Sequence, residues 1–164
     1  MLDLARNAYK DDPDVVFARR VITREPMGED HDTLDEAAFI AARRNGAFLL
    51  AWGAHGLHYG IPASLRHDLR SGRLVIANVS RSVIPEAETL DANVTVLNVT
   101  AATDVLARRI AARGRENLGE IELRLKREQP IVTTRAQLIN VQNNGALEDA
   151  ARLFMAALES CRQA

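Results

Sequence analysis

Two near-continuous apolar runs, at residues 73–78 and 94–99, constrain the fold more than any other feature of the sequence. Each has the length of a strand and is rich in Val, Leu or Ile, and a helix-like segment at residues 80–90 separates them. Strands that are apolar along their whole length are typical of parallel sheets, which helices cover on both faces. The pattern therefore predicts an α/β protein with a parallel sheet flanked by helices.

The rest of the chain continues this alternation. A turn and a short strand within residues 55–62 follow the strand at 48–52, which predicts a hairpin. The helix at 34–44 has Thr33 or Asp32 as its predicted N-cap and ends at Asn45 and Gly46. The other predicted strands span residues 15–22 and 137–142, and the other predicted helices span residues 1–9, 63–70, 104–112 and 146–160.

The composition narrows the class of protein. A chain of 164 residues is long enough for one domain with its own core, and a net charge of −1 favours neither nucleic acid nor an acidic membrane as partner. Cys161 is the one cysteine, so no intrachain disulfide can form, and no apolar run reaches the roughly 18 residues that span a bilayer. The charged residues Asp3 and Arg6 argue against a signal peptide. We expect a cytoplasmic protein.

Polar or cationic residues follow four of the predicted strands. They are Arg24, residues 78–81, Thr100 and Asn143. In open α/β sheets, ligands bind beyond the carboxyl ends of the strands. This distribution indicates a phosphate site at that edge of the sheet.

Four arginines surround one glycine late in the chain. Arg113 and Arg115 flank Gly114, and Arg124 and Arg127 follow on a second helix-like segment. Guanidinium groups match phosphate oxygens, and glycine permits unusual backbone conformations. The segment is interpreted as an arginine-rich lid over polyphosphate, although a solvated helix-loop-helix with surface arginines would have the same composition.

Three motifs together resemble the guanylate-kinase branch of the P-loop nucleoside monophosphate kinases. Residues 22–29 are similar to the T-T-R-x-x-R-x-G-E phosphate loop, residues 46–60 to G-E-F-L-E…H-G-x-x-Y-G, and residues 113–125 to R-G-R…I-x-x-R-L. The resemblance implies a single guanylate-kinase-like domain over residues 1–164. Within it, a substrate-binding subdomain would span residues 23–62 and a lid would span residues 113–128.

The departures from that pattern concern base recognition. Met27 replaces the second arginine of the phosphate loop, His31 aligns with an expected tyrosine, and Leu50 aligns with the glutamate that reads guanine. Leucine cannot accept hydrogen bonds from guanine, so the buried polar edge of the base would go unpaired.

A pocket that lacks the glutamate for binding guanine is similar to the pocket of the ribose 1,5-bisphosphate phosphokinases of phosphonate catabolism. The substrate of these enzymes has two phosphates and no base. The resemblance is carried by residues 20–24, 56–60, 75–81, 113–117 with 120–121, and 143–145. It implies ATP-dependent phosphorylation of ribose 1,5-bisphosphate to 5-phosphoribosyl 1-diphosphate, with ATP and Mg²⁺ as cofactors. A homodimer is left open.

One family element has no counterpart in the sequence. No G-x-x-x-x-G-K is found, and residues 1–6 resemble the middle of the helix that follows this loop. The first strand and the loop that binds the nucleotide phosphates are therefore missing from the match. We expect this 164-residue chain to bind Mg-ATP poorly. Three explanations for the unmatched strand and loop are considered. The start codon is assigned too late, the chain is genuinely truncated, or the sheet closes around the gap in another way.

The resemblance also implies roles for individual residues, each with a plainer alternative. Arg24 would hold a substrate phosphate or lie on the surface, and Tyr59 would donate to substrate or serve the core. Ser80 and Arg81 would contact the sugar or its 1-phosphate, while Ser80 could equally cap a helix. Asn143 would lie near the adenine or simply form a turn.

Three lid arginines would be catalytic by stabilising charge on the transferred phosphoryl group. These are Arg113, Arg115 and Arg124, and Arg113 would also bind the nucleotide. The alternative for Arg124 is an ion pair with Glu120 or Glu128. For Arg20, the alternative is a side chain that simply faces solvent on its strand.

Two further clusters could suggest metal but are interpreted otherwise. His55 and His58 lack further ligands at useful spacing, and residues 29–32 are expected to form an exposed loop near the substrate mouth. No protein metal ligand is predicted, since Mg²⁺ in this chemistry is held mostly by phosphates and waters.

Two rival functions remain at this point. Guanylate kinase is the rival enzyme, against which Leu50, Met27 and His31 argue. An inactive guanylate-kinase-like binding module is the rival of another class, and the unmatched phosphate loop supports it.

Overall fold

The structure is a computed structural model that describes residues 1–25, 30–113 and 131–162, with only the backbone described at 110–113. It contains two compact units, one of residues 6–94 and one of residues 1–5 with 95–164. The strands are β1 (Val15–Phe17), β2 (Arg20–Ile22), β3 (His31–Thr33), β4 (Phe48–Ala54), β5 (Leu57–Pro62), β6 (Leu74–Ile76), β7 (Thr95–Thr100) and β8 (Gln137–Gln142). The helices are α1 (Leu2–Ala8), α2 (Glu36–Arg44), α3 (Arg66–Arg70), α4 (Ile84–Ala87), α5 (Thr103–Arg113) and α6 (Leu147–Arg162).

Parallel pairing occurs in both units, as the apolar runs predict. In the unit of residues 6–94, β1 pairs with β6. In the other unit, β7 pairs with β8 in one unbroken register from Thr95 opposite Gln137 to Thr100 opposite Gln142. The predicted bounds of β8 are confirmed. Val141 is buried in that strand, and four residues of α6 are buried: Ala150, Phe154, Ala157 and Leu158.

The strand predicted at residues 15–22 is wrong in one respect, because it is two strands in two sheets. β1 belongs to the parallel pair, which ends where the amide of Ala18 donates to the carbonyl of Ile76. β2 then enters a separate four-stranded sheet of order β3-β2-β5-β4, in which it is antiparallel to β5. A β-branched run indicates extended backbone, but it carries no signal for a bend between two sheets.

The predicted hairpin is confirmed and joins β4 to β5. Ala54 pairs with Leu57, so the loop has only two residues. His55 and Gly56 have φ values of 52° and 71°, the left-handed pair that a two-residue turn with right-handed strand twist requires. This turn fixes which residues of β4 and β5 face each other.

Helix α2 begins later than expected because its N-cap is Asp35, not Thr33 or Asp32. The Asp35 carboxylate accepts from the amide of Ala38 at 2.7 Å. The helix ends as predicted, with Asn45 at its C-cap and Gly46 at φ 71°. Its buried Phe39 stacks on Phe48 of β4, with ring centroids 4.6 Å apart.

One face of the four-stranded sheet packs against Phe39 of α2, and the other face lies against a separate core cluster. Its members are Ala18, Leu49, Leu50, Trp52, Ile61 and Val83. The helix predicted at 80–90 is shorter than expected and consists of a 3-10 turn (Arg81–Val83) and α4, with Pro85 in its first turn. The segment predicted as a helix at 63–70 likewise begins with a 3-10 turn (Ala63–Leu65) before α3. In the part of the chain that the structure describes, no helix could cross a bilayer.

Candidate functional site

Tyr59 lies at the centre of the four-stranded sheet, where three strands meet in register. It is opposite Ile22 of β2 and Trp52 of β4. Its ring stacks on the indole of Trp52, with centroids 5.4 Å apart and planes 7° apart. The guanidinium of Arg20 lies 6.0 Å from the Tyr59 ring centroid. Arg20, which the sequence left uncertain, therefore belongs to the surroundings of Tyr59.

Arg24 follows β2 by two residues, and its backbone is held from both neighbouring strands. The preceding Thr23 donates its amide to the carbonyl of His58 and accepts from the amide of His58 at its hydroxyl, at 3.1 and 2.8 Å. The Thr33 hydroxyl donates to the Arg24 carbonyl at 3.0 Å. The prediction that Arg24 ends a strand is thus right, but that strand belongs to the four-stranded sheet and not to the parallel pair.

Ser80 and Arg81 lie beyond the carboxyl end of β6. The Ser80 hydroxyl accepts from the amide of Ser82, so its predicted capping role is confirmed. Val83, at the end of the same turn, is buried in the cluster that contains Trp52, and Tyr59 packs against this cluster. The turn that carries Ser80 and Arg81 is therefore anchored to the core that Tyr59 borders.

Leu50, which the sequence resemblance aligns with a carboxylate, is part of the core. Only 5% of its surface is exposed, and it packs in the cluster with Trp52, Ile61 and Val83. Its environment is apolar, which explains why a leucine is accommodated there and why a charge would be costly.

Asn143 belongs to the other unit and follows the carboxyl end of β8. Its amide donates to the carbonyl of Thr100, and its own carbonyl accepts from Arg109, both at 2.7 Å. The side-chain oxygen of Asn143 is buried, and no donor among the described residues reaches it. The backbone of Asn143 therefore forms a turn, as the plainer alternative predicts. Its side-chain oxygen accepts no hydrogen bond from the described residues.

The predicted exposed loop at residues 29–32 is wrong for residues 31 and 32. His31 and Asp32 lie in β3, and His31 is 2% exposed. Arg19 contacts three successive residues: the carboxylates of Asp30 and Asp32 at 3.1 Å each, and the carbonyl of His31 at 3.3 Å. Arg19 is not among the residues predicted from the sequence, because its contacts depend on the register between β2 and β3.

Several predicted residues lie outside the described part of the chain. Arg115, Arg124, Met27 and Glu29 are among them, and of Arg113 only the backbone is described, as the last residue of α5. Among the described residues, no group of three or more His, Cys, Asp or Glu side chains could hold a metal ion. His58 instead faces Glu36, with Nε2 and Oε1 3.4 Å apart.

Comparison with solved structures defines the class of fold. The guanylate kinase of Anaplasma phagocytophilum superposes with a TM-score of 0.66 over 96% of this chain and 80% of that one, at 18% identity. The chain thus has a guanylate-kinase-like α/β fold, and the predicted fold class is confirmed.

Sequence relatives define the family. No family model matches the chain. Ribose 1,5-bisphosphate phosphokinases of Methylobacterium radiotolerans and Brucella melitensis are each 41% identical to it, over 98% and 94% of this chain and 90% and 82% of their own lengths. A bifunctional ribose 1,5-bisphosphokinase-thymidine phosphorylase of Cupriavidus necator is 45% identical over 98% of this chain and 27% of its own length. The chain belongs to the ribose 1,5-bisphosphate phosphokinase family, as its motifs predict.

Proposed function

We propose that the chain is a phosphotransferase of phosphonate catabolism that uses ATP to convert ribose 1,5-bisphosphate to 5-phosphoribosyl 1-diphosphate. The observation that carries this proposal is the 41% identity to ribose 1,5-bisphosphate phosphokinases along 98% of the chain. The substrates are then small molecules, and we infer a cytoplasmic location from their chemistry.

The residues proposed to bind the substrate belong to the unit of residues 6–94. Arg24 would bind one phosphate through its guanidinium fork, and Tyr59 would donate its hydroxyl to a phosphate or sugar oxygen. Ser80 and Arg81 would contact the sugar or its 1-phosphate. The apolar surroundings of Leu50 support a substrate without a base, because they offer no carboxylate to a guanine edge.

The residues proposed to bind the nucleotide belong to the unit of residues 1–5 with 95–164. The buried side-chain oxygen of Asn143 suits an amino group such as that of adenine, and this supports ATP as the donor. Arg113, Arg115 and Arg124 would stabilise the charge of the transferred phosphoryl group, with Arg113 also binding nucleotide phosphate. Mg²⁺ bound with ATP would supply further neutralisation, and its usual ligands are phosphates and waters rather than a protein cluster.

The reaction follows from these proposed residue roles. An oxygen of the substrate 1-phosphate attacks the γ-phosphorus of ATP in line, a new P–O bond forms, and the bond to the β-phosphate oxygen breaks as ADP leaves. The chain's side chains have no covalent role. They bind both anions, orient the attacking oxygen and offset the negative charge that the two substrates bring together.

Phosphorus NMR of the purified chain with Mg-ATP and ribose 1,5-bisphosphate tests the proposal. At Mg-ATP concentrations high enough to offset the poor binding expected without a matched phosphate loop, we expect 5-phosphoribosyl 1-diphosphate to form, and Arg24→Gln to lose most of that activity. Arg73→Gln is the matched control, because Arg73 lies in the same unit and its guanidinium pairs with Asp68 at 2.9 Å. ADP formation that depends on GMP would favour guanylate kinase. Binding of ribose 1,5-bisphosphate without turnover would favour the inactive module.

A further inference from the structure

Arg109 makes a two-pronged contact with the turn that follows β8. Its Nη1 donates to the carbonyl of Asn143 at 2.7 Å and its Nη2 donates to the carbonyl of Gly145 at 3.0 Å. The two carbonyls are 34 and 36 residues away in sequence, so this contact ties α5 to the turn between β8 and α6. Arg109 is half-buried, which limits the competition from water.

The same turn is anchored at two other points. The amide of Asn143 donates to the carbonyl of Thr100 at the end of β7, and the side-chain oxygen of Asn144 accepts from the amide of Ala102 at 2.6 Å. The backbone around Asn143 is thus held from β7, from the residue before α5 and from within α5. A side chain on such a backbone has few positions available, and its oxygen is buried without a described donor.

An unused buried acceptor is costly, and a ligand that brings a donor removes the cost. Adenine presents its 6-amino group as a donor, whereas a 6-oxo purine presents an acceptor at the same position. Two acceptors that face each other cannot form a hydrogen bond, so the side-chain oxygen of Asn143 favours the amino purine. This preference lasts only while the side chain of Asn143 is held in one position.

We propose that Arg109 is a positioning residue for nucleotide selection, which holds the 143–145 turn so that Asn143 accepts from the 6-amino group of adenine. This inference rests on the proposed function, in which ATP is the phosphoryl donor. Arg113, the first arginine predicted for the nucleotide phosphates, lies one helical turn beyond Arg109 on α5. Base selection and phosphate binding would then depend on residues of one helix.

The chain offers a matched control at the adjacent position. Arg108 is also an arginine of α5, but its guanidinium pairs with Asp104 on the same helix, and its side chain is 74% exposed. Arg108→Gln removes one charge from the same helix without touching the turn. Arg109→Lys keeps the charge but cannot reach both carbonyls in the same planar geometry.

Calorimetric titration with Mg-ATP and with Mg-ITP tests the inference. The two nucleotides differ in the group at the purine 6 position and in the hydrogen that the 6-oxo purine carries at the adjacent N1. We expect the wild-type chain to bind ATP about tenfold more tightly than ITP, the effect of roughly one hydrogen bond. The ratio should persist in Arg108→Gln and fall toward one in Arg109→Gln, Arg109→Lys and Asn143→Ala, with ITP affinity little changed. A wild-type chain that does not distinguish the two nucleotides overturns the inference, as does an Arg109 variant that loses both affinities equally.

Amide hydrogen exchange without ligand supplies a second readout. The amide of Asn143 should exchange faster in Arg109→Gln than in Arg108→Gln, and equal rates would contradict the anchoring role. Neither measurement requires transfer to ribose 1,5-bisphosphate. A chain that selects ATP over ITP but does not phosphorylate the sugar would therefore contradict the proposed function and leave the role of Arg109 supported.

Discussion

The indole of Trp52 and the phenol ring of Tyr59 stack almost in parallel, with planes 7° apart and centroids 5.4 Å apart. Trp52 is the one tryptophan of the chain. A ligand that contacts Tyr59 lies next to the ring that stacks on this single tryptophan. The stack therefore provides an intrinsic probe for binding at the residues proposed to contact the substrate.

Titration of the chain with ribose 1,5-bisphosphate is expected to change the Trp52 emission in a saturable way. Tyr59→Phe preserves a stacking ring but removes the hydroxyl, so we expect the dissociation constant to rise about three- to tenfold, the value of one hydrogen bond. Tyr9→Phe is the matched control, since Tyr9 is the other tyrosine of the chain and is buried. Equal affinities of the two variants would remove Tyr59 from the substrate contacts.

Much of the fold could be predicted because its strands have local signals. The six residues of β8 and the hairpin turn at His55 and Gly56 depend on nearby residues only, and both were predicted correctly. β3 was not predicted, because its His31, Asp32 and Thr33 are polar and have no alternation with apolar residues. It exists because it pairs with β2, a partner outside any short sequence window.

The candidate site could be predicted only in part for a similar reason. Motif residues such as Arg24, Ser80 and Asn143 follow strands, and their positions beyond strand ends could be anticipated. The contacts of Arg109 and Arg19 join residues distant in sequence or depend on strand register, so the chain order did not indicate them. Leu50 was recognised as a departure, but its burial in the core required the structure.

Restoring a carboxylate at Leu50 should destabilise the protein rather than create guanine recognition. Leu50→Glu would place an unpaired charge in an apolar cluster, and we expect a loss of roughly 3–5 kcal/mol in the free energy of unfolding. Leu50→Met keeps the volume and should cost less than about 1.5 kcal/mol. Urea unfolding measures both values. A stable Leu50→Glu variant that binds GMP would show that the side chain reaches a pocket instead.

The N-cap of α2 can be assigned by comparing two aspartates. Asp35→Ala removes the acceptor of the Ala38 amide, and we expect a loss of about 0.5–2 kcal/mol. Asp32→Ala removes an exposed ion pair with Arg19 and should cost at most about 1 kcal/mol. Chemical denaturation of the two variants under identical conditions provides the comparison. A larger effect at Asp32 would mean that the residue expected from the sequence is the true cap.

Gly60 is required by close packing in the four-stranded sheet. A Cβ at this position would lie 2.5 Å from Cδ1 of Phe48, well inside van der Waals contact. The Phe48 ring cannot retreat freely, because it is stacked on Phe39 of α2. We therefore expect Gly60→Ala to lower the free energy of unfolding by about 1–3 kcal/mol, the usual cost of overpacking.

A control and a second-site variant separate this clash from other effects of replacing glycine in a strand. Gly53→Ala lies in the same hairpin, where the nearest atoms to a new Cβ would be 3.9 Å away, so it should be nearly neutral. Phe48→Leu should cost less in the Gly60→Ala background than in the wild type, because the smaller side chain removes the clash and part of its penalty. Thermal unfolding of the wild type, Gly60→Ala, Phe48→Leu and the double variant completes the double-mutant cycle. Strictly additive losses would mean that the ring of Phe48 is not what excludes a side chain at Gly60.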